Sequence, residues 1–508
     1  MTEASIAHLL DLAASRHPDR VAVIDGAGRL SYAALRDRTR AIAAAWRDAG
    51  VVRGDRVSLL DHNSWFYVAA YFASAWLGAV LNPINTRLAP HEIEDILGDA
   101  EPRVVVASKP FAELARASSG SRRILVAEVL GAASDDPDLA PAEVAAHDLA
   151  HLYYTSGTTG RSKGVMLTHD NVLRHAEGAV AALGLGPADR WGHIAPMFHL
   201  ADAWATFAIT MVGGVHVMTP RFDVAPVLEL IQRERVTVTN LVPTMLNLLV
   251  KHEGRGAYDL TSMRLVLSGG APIAPEVVAA VLSTFGCEYA QTYGLTETSP
   301  YLTLGLLPAH LKSLPAAEQL HYRARTGRPV PTAMAEVEVV DAQGAPVPHD
   351  DASVGEIRAR GATVSPGYWR RPEETAAAHR GGWFYTGDLA VVDGEGFVNI
   401  VDRKKDMILT GGENVYSIEV EHALYAHPAV LEAAVYGVAD ATWGEVVAAA
   451  VVLRPGRSAS ADELSDFCRE RIAGYKLPRL YSWLAELPRT GSGKIAKRLL
   501  RDGHAQPS

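Results

Sequence analysis

The sequence predicts an α/β protein with a large N-terminal domain of layered, mostly parallel sheets and helices, a small β unit, and a small α+β domain at the C-terminus. Three observations support this. Apolar strand-like runs alternate with helical patterns over the first 400 residues. Around residues 335–361, short apolar segments are separated by Gly and Pro turns. A charged break, DRKKDM, then precedes about 100 residues that alternate strand and helix patterns.

The elements follow from the period of the apolar residues. In the N-terminal part we predict strands at Arg56–Leu60, Arg103–Ala107, Val215–Met218, Thr237–Val242 and Leu265–Ser268, and helices at Tyr32–Ala49, Pro226–Arg233 and Pro275–Phe285. In the C-terminal part we predict helices at Ser417–Tyr425 and Ala461–Ile472, and strands at Val430–Val438 and Val446–Leu453. We place the N-terminal domain at residues 1–401 and the C-terminal domain at residues 402–508.

The composition excludes several classes of protein. The 508 residues are 48% hydrophobic and 21% charged, which is typical of globular chains rather than disordered ones. The net charge of -10 argues against a nucleic-acid partner. The two cysteines, Cys287 and Cys468, match no disulfide framework or zinc-ligand spacing.

We expect a cytoplasmic protein without a membrane span. The first 20 residues lack the basic start and apolar core of a signal peptide. Residues 62–86 carry no Asp, Glu, Lys or Arg, but Gly78 and Pro83 interrupt them. This stretch therefore predicts a buried helix that runs into a strand.

The stretch Tyr153–Gly164, YYTSGTTGRSKG, has the composition of an anion-binding loop. Its glycines permit a tight turn, its hydroxyl and backbone N–H groups can face an anion, and Lys163 adds positive charge. Its spacing is not that of a P-loop NTPase. The candidate phosphate-binding residues are Thr155, Ser156, Gly157, Thr158, Thr159, Gly160 and Lys163.

Four further motifs follow this loop along the chain. They are QTYGLTETSP (Gln291–Pro300), YTGDLA (Tyr385–Ala390), VDRKKDMILTGGENVYSIEVE (Val401–Glu421) and PRTGSGKIAKRLL (Pro488–Leu500). In this order they resemble the adenylate-forming superfamily of acyl-CoA synthetases, adenylation domains and luciferases, and most of all the bacterial ligases of fatty or other hydrophobic acids. The resemblance covers nearly the whole chain. It implies ATP, Mg²⁺ and coenzyme A as reactants and cofactor, and a mobile C-terminal domain with its hinge at Asp402.

The resemblance also implies how the nucleotide is bound. Glu297 is expected to hold Mg²⁺, because a carboxylate beside a triphosphate needs a cation between them. Tyr293 is expected to stack near the adenine, and Asp388 to accept hydrogen bonds from the ribose hydroxyls. Arg403 is expected to contact the ribose or a phosphate. The other expected nucleotide contacts are Gly270, Ala271, Pro272, Gly294 and Thr296.

Lys494, Glu297 and His199 are the candidate catalytic residues. Lys494 lies in a Gly-rich loop and matches the family's adenylation lysine, which stabilises the charge that develops at the α-phosphate. His199 is placed by the resemblance near the acyl carboxylate, although a lone histidine in an apolar stretch is more often structural. Lys404 and Lys405 are interpreted as solvated charges.

The acyl acceptor is predicted from the loop after the hinge. Gly411 and Gly412 leave backbone without side chains, which makes room for a pantetheine arm, and Glu413 completes this candidate CoA tunnel. Two alternatives stay open: an enzyme that loads a separate carrier protein, and a catalytically silent protein that only binds acyl or nucleotide ligands. A homodimer stays open for the oligomeric state.

The acid is predicted from residues 196–214, PMFHLADAWATFAITMVGG, which by resemblance line part of the acyl pocket. The stretch has no Lys or Arg, and Asp202 would repel a second carboxylate if it faces the pocket. Trp204 is interpreted as a core residue rather than a gate over the pocket. The candidate pocket residues are His199, Asp202, Ala203, Trp204, Gly269 and Gly270. We therefore predict a hydrophobic monocarboxylic acid, either a fatty acid or a bulky cyclic acid.

Overall fold

The computed structural model describes residues 5–120, 122–130, 136–155, 162–330, 335–489 and 495–504. The α-helices are α1 Ile6–Arg16, α2 Tyr32–Asp48, α3 Trp65–Trp76, α4 Pro90–Ala100, α5 Ala112–Ser119, α6 Ala127–Leu130, α7 His169–Leu183, α8 Leu200–Ala203, α9 Ala205–Met211, α10 Val224–Glu234, α11 Pro243–Lys251, α12 Pro275–Phe285, α13 Ala316–Ala324, α14 Pro372–Ala378, α15 Ser417–Tyr425, α16 Ala461–Arg469 and α17 Lys497–His504.

The strands, in chain order, belong to four sheets. They are β1 Val21–Asp25, β2 Gly28–Ser31, β3 Arg56–Leu60, β4 Val80–Pro83, β5 Val104–Ala107, β6 Ile124–Val126, β7 Leu149–Thr155, β8 Lys163–Thr168, β9 Arg190–His193, β10 Val215–Met218, β11 Val238–Leu241, β12 Leu265–Ser268, β13 Glu288–Gly294, β14 Tyr301–Leu304, β15 Arg328–Pro329, β16 Glu336–Val340, β17 Gly355–Arg360, β18 His379–Arg380, β19 Trp383–Val392, β20 Val398–Arg403, β21 Ile408–Thr410, β22 Glu413–Val415, β23 Val430–Asp440, β24 Gly444–Leu453 and β25 Leu480–Trp483.

The predicted α/β class is confirmed. Strands β3, β10 and β12 have the predicted bounds, and the uncharged stretch 62–86 folds as helix α3 followed by strand β4. Every residue of β10 and β12 is buried, which is why these strands are mostly apolar, with His216 and Ser268 as their polar members. Across the described part of the chain, no helix combines the length and apolar character that a membrane span requires.

The chain divides into two compact units. The first comprises Met1–Val337, Ala359–Tyr385 and Gly396–Val398, and the second comprises Glu338–Arg358, Thr386–Glu395 and Asn399–Ser508. The continuous part of the second unit thus begins just before Asp402, the expected hinge. The two shorter segments of the second unit fall within the range predicted for the N-terminal domain, because strands of the small β unit run through them.

Two large sheets build the first unit. The nine-stranded sheet has the order β15-β14-β13-β12-β11-β9-β10-β1-β2, and its six strands from β13 to β1 are parallel. The six-stranded sheet has the order β6-β5-β3-β4-β7-β8, and only the β7–β8 pair at its edge is antiparallel. Helix α3 packs into the core of this unit and is buried at all but its first residue.

The C-terminal sheet of the second unit has the order β22-β21-β24-β23, with β25 paired to β24. Helices α15 and α16 cover it through an apolar cluster that includes Val420, Leu424, Val435, Ala449 and Leu464. Strands β16 to β20 form the predicted small β unit, in the order β16-β17-β19-β18 with β20 beside β19.

Four buried histidines of the first unit make its stability depend on pH. Burial lowers the pKa of His151 and His175 to about 3 and that of His169 to about 4, and it lowers the pKa of His216 well below its ordinary value. In an unfolded chain each of these rings binds a proton below about pH 6.5. The unfolded state therefore binds more protons, and stability falls as the pH drops from about 6.5 towards 3.

We expect His151→Leu to lower the midpoint pH of acid unfolding. Among the described residues neither ring nitrogen of His151 has a hydrogen-bond partner, and the ring stacks on Phe207 at 5.3 Å. The change removes one proton-binding group, worth about 1.4 kcal/mol for each pH unit below 6.5. Circular dichroism across pH 3–7 measures the midpoint, with the exposed His147→Gln as control. Equal midpoints for His151→Leu and wild type would contradict this prediction.

Candidate functional site

The predicted phosphate loop connects the two strands of a hairpin. Strand β7 ends at Thr155, strand β8 begins at Lys163, and these two residues are partners in the register. The central loop residues Ser156, Gly157, Thr158, Thr159 and Gly160 lie outside the described residues. The antiparallel edge of the six-stranded sheet therefore holds both ends of the loop, with Lys163 at its base.

Glu297 lies in a short 3₁₀ turn, Thr296–Thr298, directly after β13. Its side chain is buried, with 8% of the residue exposed. The hydroxyl of Thr298 accepts a hydrogen bond from the Leu295 N–H at 2.9 Å and donates one to the Pro300 carbonyl at 2.6 Å. Gly294 is required here, since a Cβ at this position would stand 1.7 Å from the Pro300 oxygen. The turn that carries Glu297 is therefore tightly constrained.

Tyr368 brings the phosphate loop and Glu297 together. Its hydroxyl donates to Oε1 of Glu297 at 2.9 Å, and the Nζ of Lys163 lies 5.3 Å from the centre of its ring. Sequence reasoning missed this residue. The available signal was a phenol next to Gly367 in a Pro- and Gly-containing stretch, which by itself indicates only a turn.

The small-residue turn after β12 lies beside the Glu297 turn. Strands β12 and β13 are neighbouring parallel strands, so their carboxyl ends meet at one edge of the sheet. Gly269 is needed for close packing, since a Cβ there would stand 2.2 Å from Oγ1 of Thr292. The Gln291 amide donates to the Ala271 carbonyl at 3.0 Å. Gly270, Ala271 and Pro272 are exposed, whereas Tyr293 is buried and Thr296 half-buried.

The stretch predicted to line the acyl pocket is mostly core. His199 precedes α8, is half-buried, and packs its ring on Phe198 at 4.6 Å. Asp202 is fully buried: its carboxylate accepts from the Trp191 indole N–H at 3.2 Å and lies 2.6 Å from Nδ1 of His193. This differs from the expectation that Asp202 faces the acid, because both of its oxygens bond to core side chains.

The small residues of this stretch also fill space rather than leave it. Ala203, Ala205 and Ala208 have no exposed surface and belong to the main apolar core. Trp204 is 1% exposed and packs edge-on against Trp191, as expected for a core residue. Of this stretch, we retain His199 as the candidate nearest to the acid.

In the second unit, two of the predicted nucleotide contacts form an ion pair. Asp388 is 3% exposed, and Nε of Arg403 lies 2.9 Å from its Oδ1. The Asp388 N–H donates to Oγ1 of Thr386 at 3.1 Å, which fixes the backbone of the turn at Gly387. A buried carboxylate next to a half-exposed guanidinium suits a ligand that carries both hydroxyls and negative charge.

Asp402 lies near the end of β20, and its carboxylate accepts hydrogen bonds from Ser417, the first residue of α15. Its Oδ1 accepts from the Arg403 N–H at 2.7 Å and from the Ser417 hydroxyl at 2.9 Å, and its Oδ2 accepts from the Ser417 N–H. Burial raises the pKa of Asp402, and the positive charge of Lys497 opposes this shift. Lys497 itself donates to the Ser417 hydroxyl at 2.6 Å.

Gly411 and Gly412 form the turn of the β21–β22 hairpin. Both have positive φ, +59° and +87°, as a two-residue hairpin turn requires. The Gly411 N–H donates to the Trp443 carbonyl at 2.8 Å, and a Cβ on Gly411 would stand 2.9 Å from the Trp443 ring. The guanidinium of Arg479 lies 4.3 Å from the centre of that exposed ring. Gly412 and Glu413 are exposed.

Glu297 is the residue of this site that fits a metal ion. Within the described ranges there is no group of three or more His, Cys, Asp or Glu arranged to hold one. Mg²⁺ commonly takes one or two protein carboxylates and completes its shell with phosphate oxygens and water. A single buried carboxylate at the base of a phosphate loop therefore fits a Mg²⁺ ion that arrives with a triphosphate. Lys494, the candidate adenylation lysine, lies outside the described residues.

Comparisons with known proteins show the family of this chain. The AMP-binding enzyme family matches residues 10–369, and the AMP-binding enzyme C-terminal domain matches residues 419–494. A feruloyl-CoA synthase of Amycolatopsis sp is 39% identical over 487 residues, covering 95% of this chain and 96% of that protein. A long-chain-fatty-acid–CoA ligase of Thermus thermophilus is 36% identical over 496 residues, covering 93% and 90%.

A solved structure is similar over the whole length. The o-succinylbenzoate CoA synthetase of Bacillus subtilis, in complex with its acyl-adenylate intermediate, has a TM-score of 0.88 and 31% identity, covering 100% of this chain and 99% of that one. The same enzyme, solved with ATP and a magnesium ion, has a TM-score of 0.85, 31% identity, and coverage of 97% and 98%.

Fold, phosphate loop and buried glutamate together define an adenylate-forming enzyme. The chain belongs to the AMP-binding enzyme family and, within it, to the AMP-forming acyl-CoA synthetases.

Proposed function

We propose that the enzyme joins a hydrophobic monocarboxylic acid to coenzyme A in two steps. The acid and ATP form acyl-AMP and pyrophosphate, and the thiol of CoA then displaces AMP to give the thioester. ATP, Mg²⁺ and CoA are the reactants and cofactor of this family of ligases. The observation that carries the adenylation step of this proposal is the placement of Lys163 and Glu297 on either side of Tyr368, at the base of the phosphate loop. The acid class rests on the apolar composition of residues 196–214.

In the first step the chain binds a polyanion and stabilises charge. The loop between Thr155 and Lys163 supplies hydroxyl and N–H donors to the phosphates, and Lys163 supplies a cation at its base. Glu297 would hold Mg²⁺, which neutralises phosphate charge when bound. The acid's carboxylate oxygen attacks the α-phosphorus and pyrophosphate leaves. Lys494 stabilises the charge that develops there.

Asp388 and Arg403 serve the sugar end of the nucleotide. The buried carboxylate of Asp388 accepts hydrogen bonds from the ribose hydroxyls, and its ion pair with Arg403 orients it. Tyr293 and the exposed turn at Gly270 lie at the shared edge of strands β12 and β13, which suits an adenine ring.

In the second step the C-terminal domain turns about its hinge and presents the Gly411–Gly412 turn in place of Lys494. We place the hinge at Asp402, between the domain of residues 1–401 and that of residues 402–508. The Gly411–Gly412 turn offers backbone without side chains to the pantetheine arm. Trp443 and Arg479 beside it supply an exposed ring and a positive charge, which suit the nucleotide part of CoA.

Two other functions remain as alternatives. An enzyme that loads a carrier protein would share the adenylation site and differ in the thiol that it accepts. A protein that only binds nucleotide or acyl ligands is less well supported, because the chain retains Glu297, Asp388, Arg403 and Lys494 together.

A screen of acids tests the proposal. We expect pyrophosphate release with octanoate or with bulky ring acids, and acyl-CoA and AMP only when CoA is added. Specificity constants for these acids are expected to exceed those for acetate and malonate by about tenfold or more. Each buried methylene strengthens binding, whereas a buried carboxylate without a partner weakens it. A preference for malonate or acetate would contradict the acid class. Thioester formation only on a carrier protein would favour the first alternative, and no pyrophosphate with any acid would favour the second.

A further inference from the structure

A short segment, residues 362–369, links the two halves of the phosphate site; we call it the strap. At one end it contacts the turn that carries Glu297. The Ser299 hydroxyl donates to the Thr363 carbonyl at 2.8 Å, and the Ser365 N–H donates to the Glu297 carbonyl at 2.8 Å. The turn is therefore bonded to the strap at two points, through the Ser299 side chain and through the Glu297 carbonyl.

At its other end the strap runs along β8, directly after the phosphate loop. The Met166 N–H donates to the Gly367 carbonyl at 3.1 Å, and the Trp369 N–H donates to the Gly164 carbonyl at 2.7 Å. These two bonds flank Tyr368, which forms an antiparallel bridge with Val165. The position of Tyr368 relative to Lys163 is thus set by backbone hydrogen bonds.

The side chain of Tyr368 completes the link. Its hydroxyl donates to Glu297 at 2.9 Å, its ring faces the Lys163 ammonium, and its N–H donates to the Thr375 hydroxyl at 3.0 Å.

We propose that Tyr368 is a positioning residue that orients the Glu297 carboxylate for the metal ion of the bound nucleotide. This inference rests on the proposed function, in which Glu297 holds that metal. A glutamate has three rotatable side-chain bonds, so an unsupported carboxylate would sample several orientations. The hydrogen bond from the Tyr368 hydroxyl to Oε1 restricts the orientation of this carboxylate. Partners of this kind commonly contribute 10–100-fold to metal affinity or activity.

The test is the gain in nucleotide affinity that Mg²⁺ provides. Calorimetry measures the dissociation constant of α,β-methylene ATP, which cannot transfer its AMP group to the acid, with Mg²⁺ and with EDTA. We expect the dissociation constant in EDTA divided by that in Mg²⁺ to be about tenfold smaller in Tyr368→Phe than in the wild type. The variant keeps the ring beneath Lys163, and the affinity in EDTA is measured in the same variant so that the ratio isolates the contribution of Mg²⁺. Tyr67→Phe is the control, since the buried Tyr67 hydroxyl has no partner among the described residues.

A second pair of variants tests the same link from its other side. Thr375→Val removes the hydroxyl that accepts the Tyr368 N–H and is expected to lower the Mg²⁺-dependent gain, whereas Thr375→Ser keeps that hydroxyl and the gain. A wild-type ratio in both Tyr368→Phe and Thr375→Val would overturn the proposal. The proposed function fails separately, if Glu297→Gln retains the full Mg²⁺-dependent gain or if the wild type releases no pyrophosphate with any acid.

Discussion

Lys494→Ala is expected to lower the rate of acyl-AMP formation by at least about 100-fold and to leave thioester formation from supplied acyl-AMP largely intact. A fixed cation at the α-phosphate acts only while charge develops there, and removing a single stabilising donor of this kind typically costs 10²–10³ in rate. In the second step the α-phosphate leaves as AMP and the thiol attacks a carbonyl carbon. The lysine is therefore needed in one half-reaction only.

Two assays on the same protein separate these steps. Pyrophosphate release reports adenylation, and acyl-CoA formation from added acyl-AMP reports thiol transfer. Lys404→Ala is the matched control, because this lysine is more than half exposed and pairs only at the surface with Glu356 at 2.9 Å. Equal losses in both half-reactions of Lys494→Ala would contradict the assigned role.

Gly412→Leu is expected to block CoA transfer and to spare adenylation. The residue lies at the tip of the β21–β22 hairpin, and no described atom stands within 4 Å of where its Cβ would be. A leucine side chain would therefore project into open space, where we place the pantetheine arm. We expect acyl-AMP to accumulate and acyl-CoA formation to fall by about 100-fold, since a misplaced thiol loses the advantage of alignment.

The control for Gly412→Leu must share its backbone strain. Gly456 lies in another turn of the same unit, has a φ of +73° against +87° at Gly412, and likewise has open space around its Cβ position. Gly456→Leu is expected to leave both half-reactions near wild type. Gly411→Leu is a poorer probe, because its Cβ would meet the Trp443 ring at 2.9 Å. Wild-type rates of acyl-CoA formation in Gly412→Leu would show that the turn does not line the thiol path.

The sequence by itself determined the class of fold and the contiguous motifs. The strands β3, β10 and β12 were predicted to the residue, because parallel strands buried on both faces are mostly apolar and are bounded by polar residues in the sequence. The glycine- and hydroxyl-rich loop before Lys163 was recognisable because an anion-binding turn uses neighbouring residues, whose chemistry a local pattern shows directly.

The tertiary structure alone decided which side chains meet. Tyr368 bonds to Glu297 across 71 residues, and its place depends on how the strap pairs with β8. Asp202 was expected to face the acid, yet the packing of α8 against β9 turns it towards Trp191 and His193. Strand register and the need to pair buried polar groups set these contacts, and both depend on residues far apart in the chain.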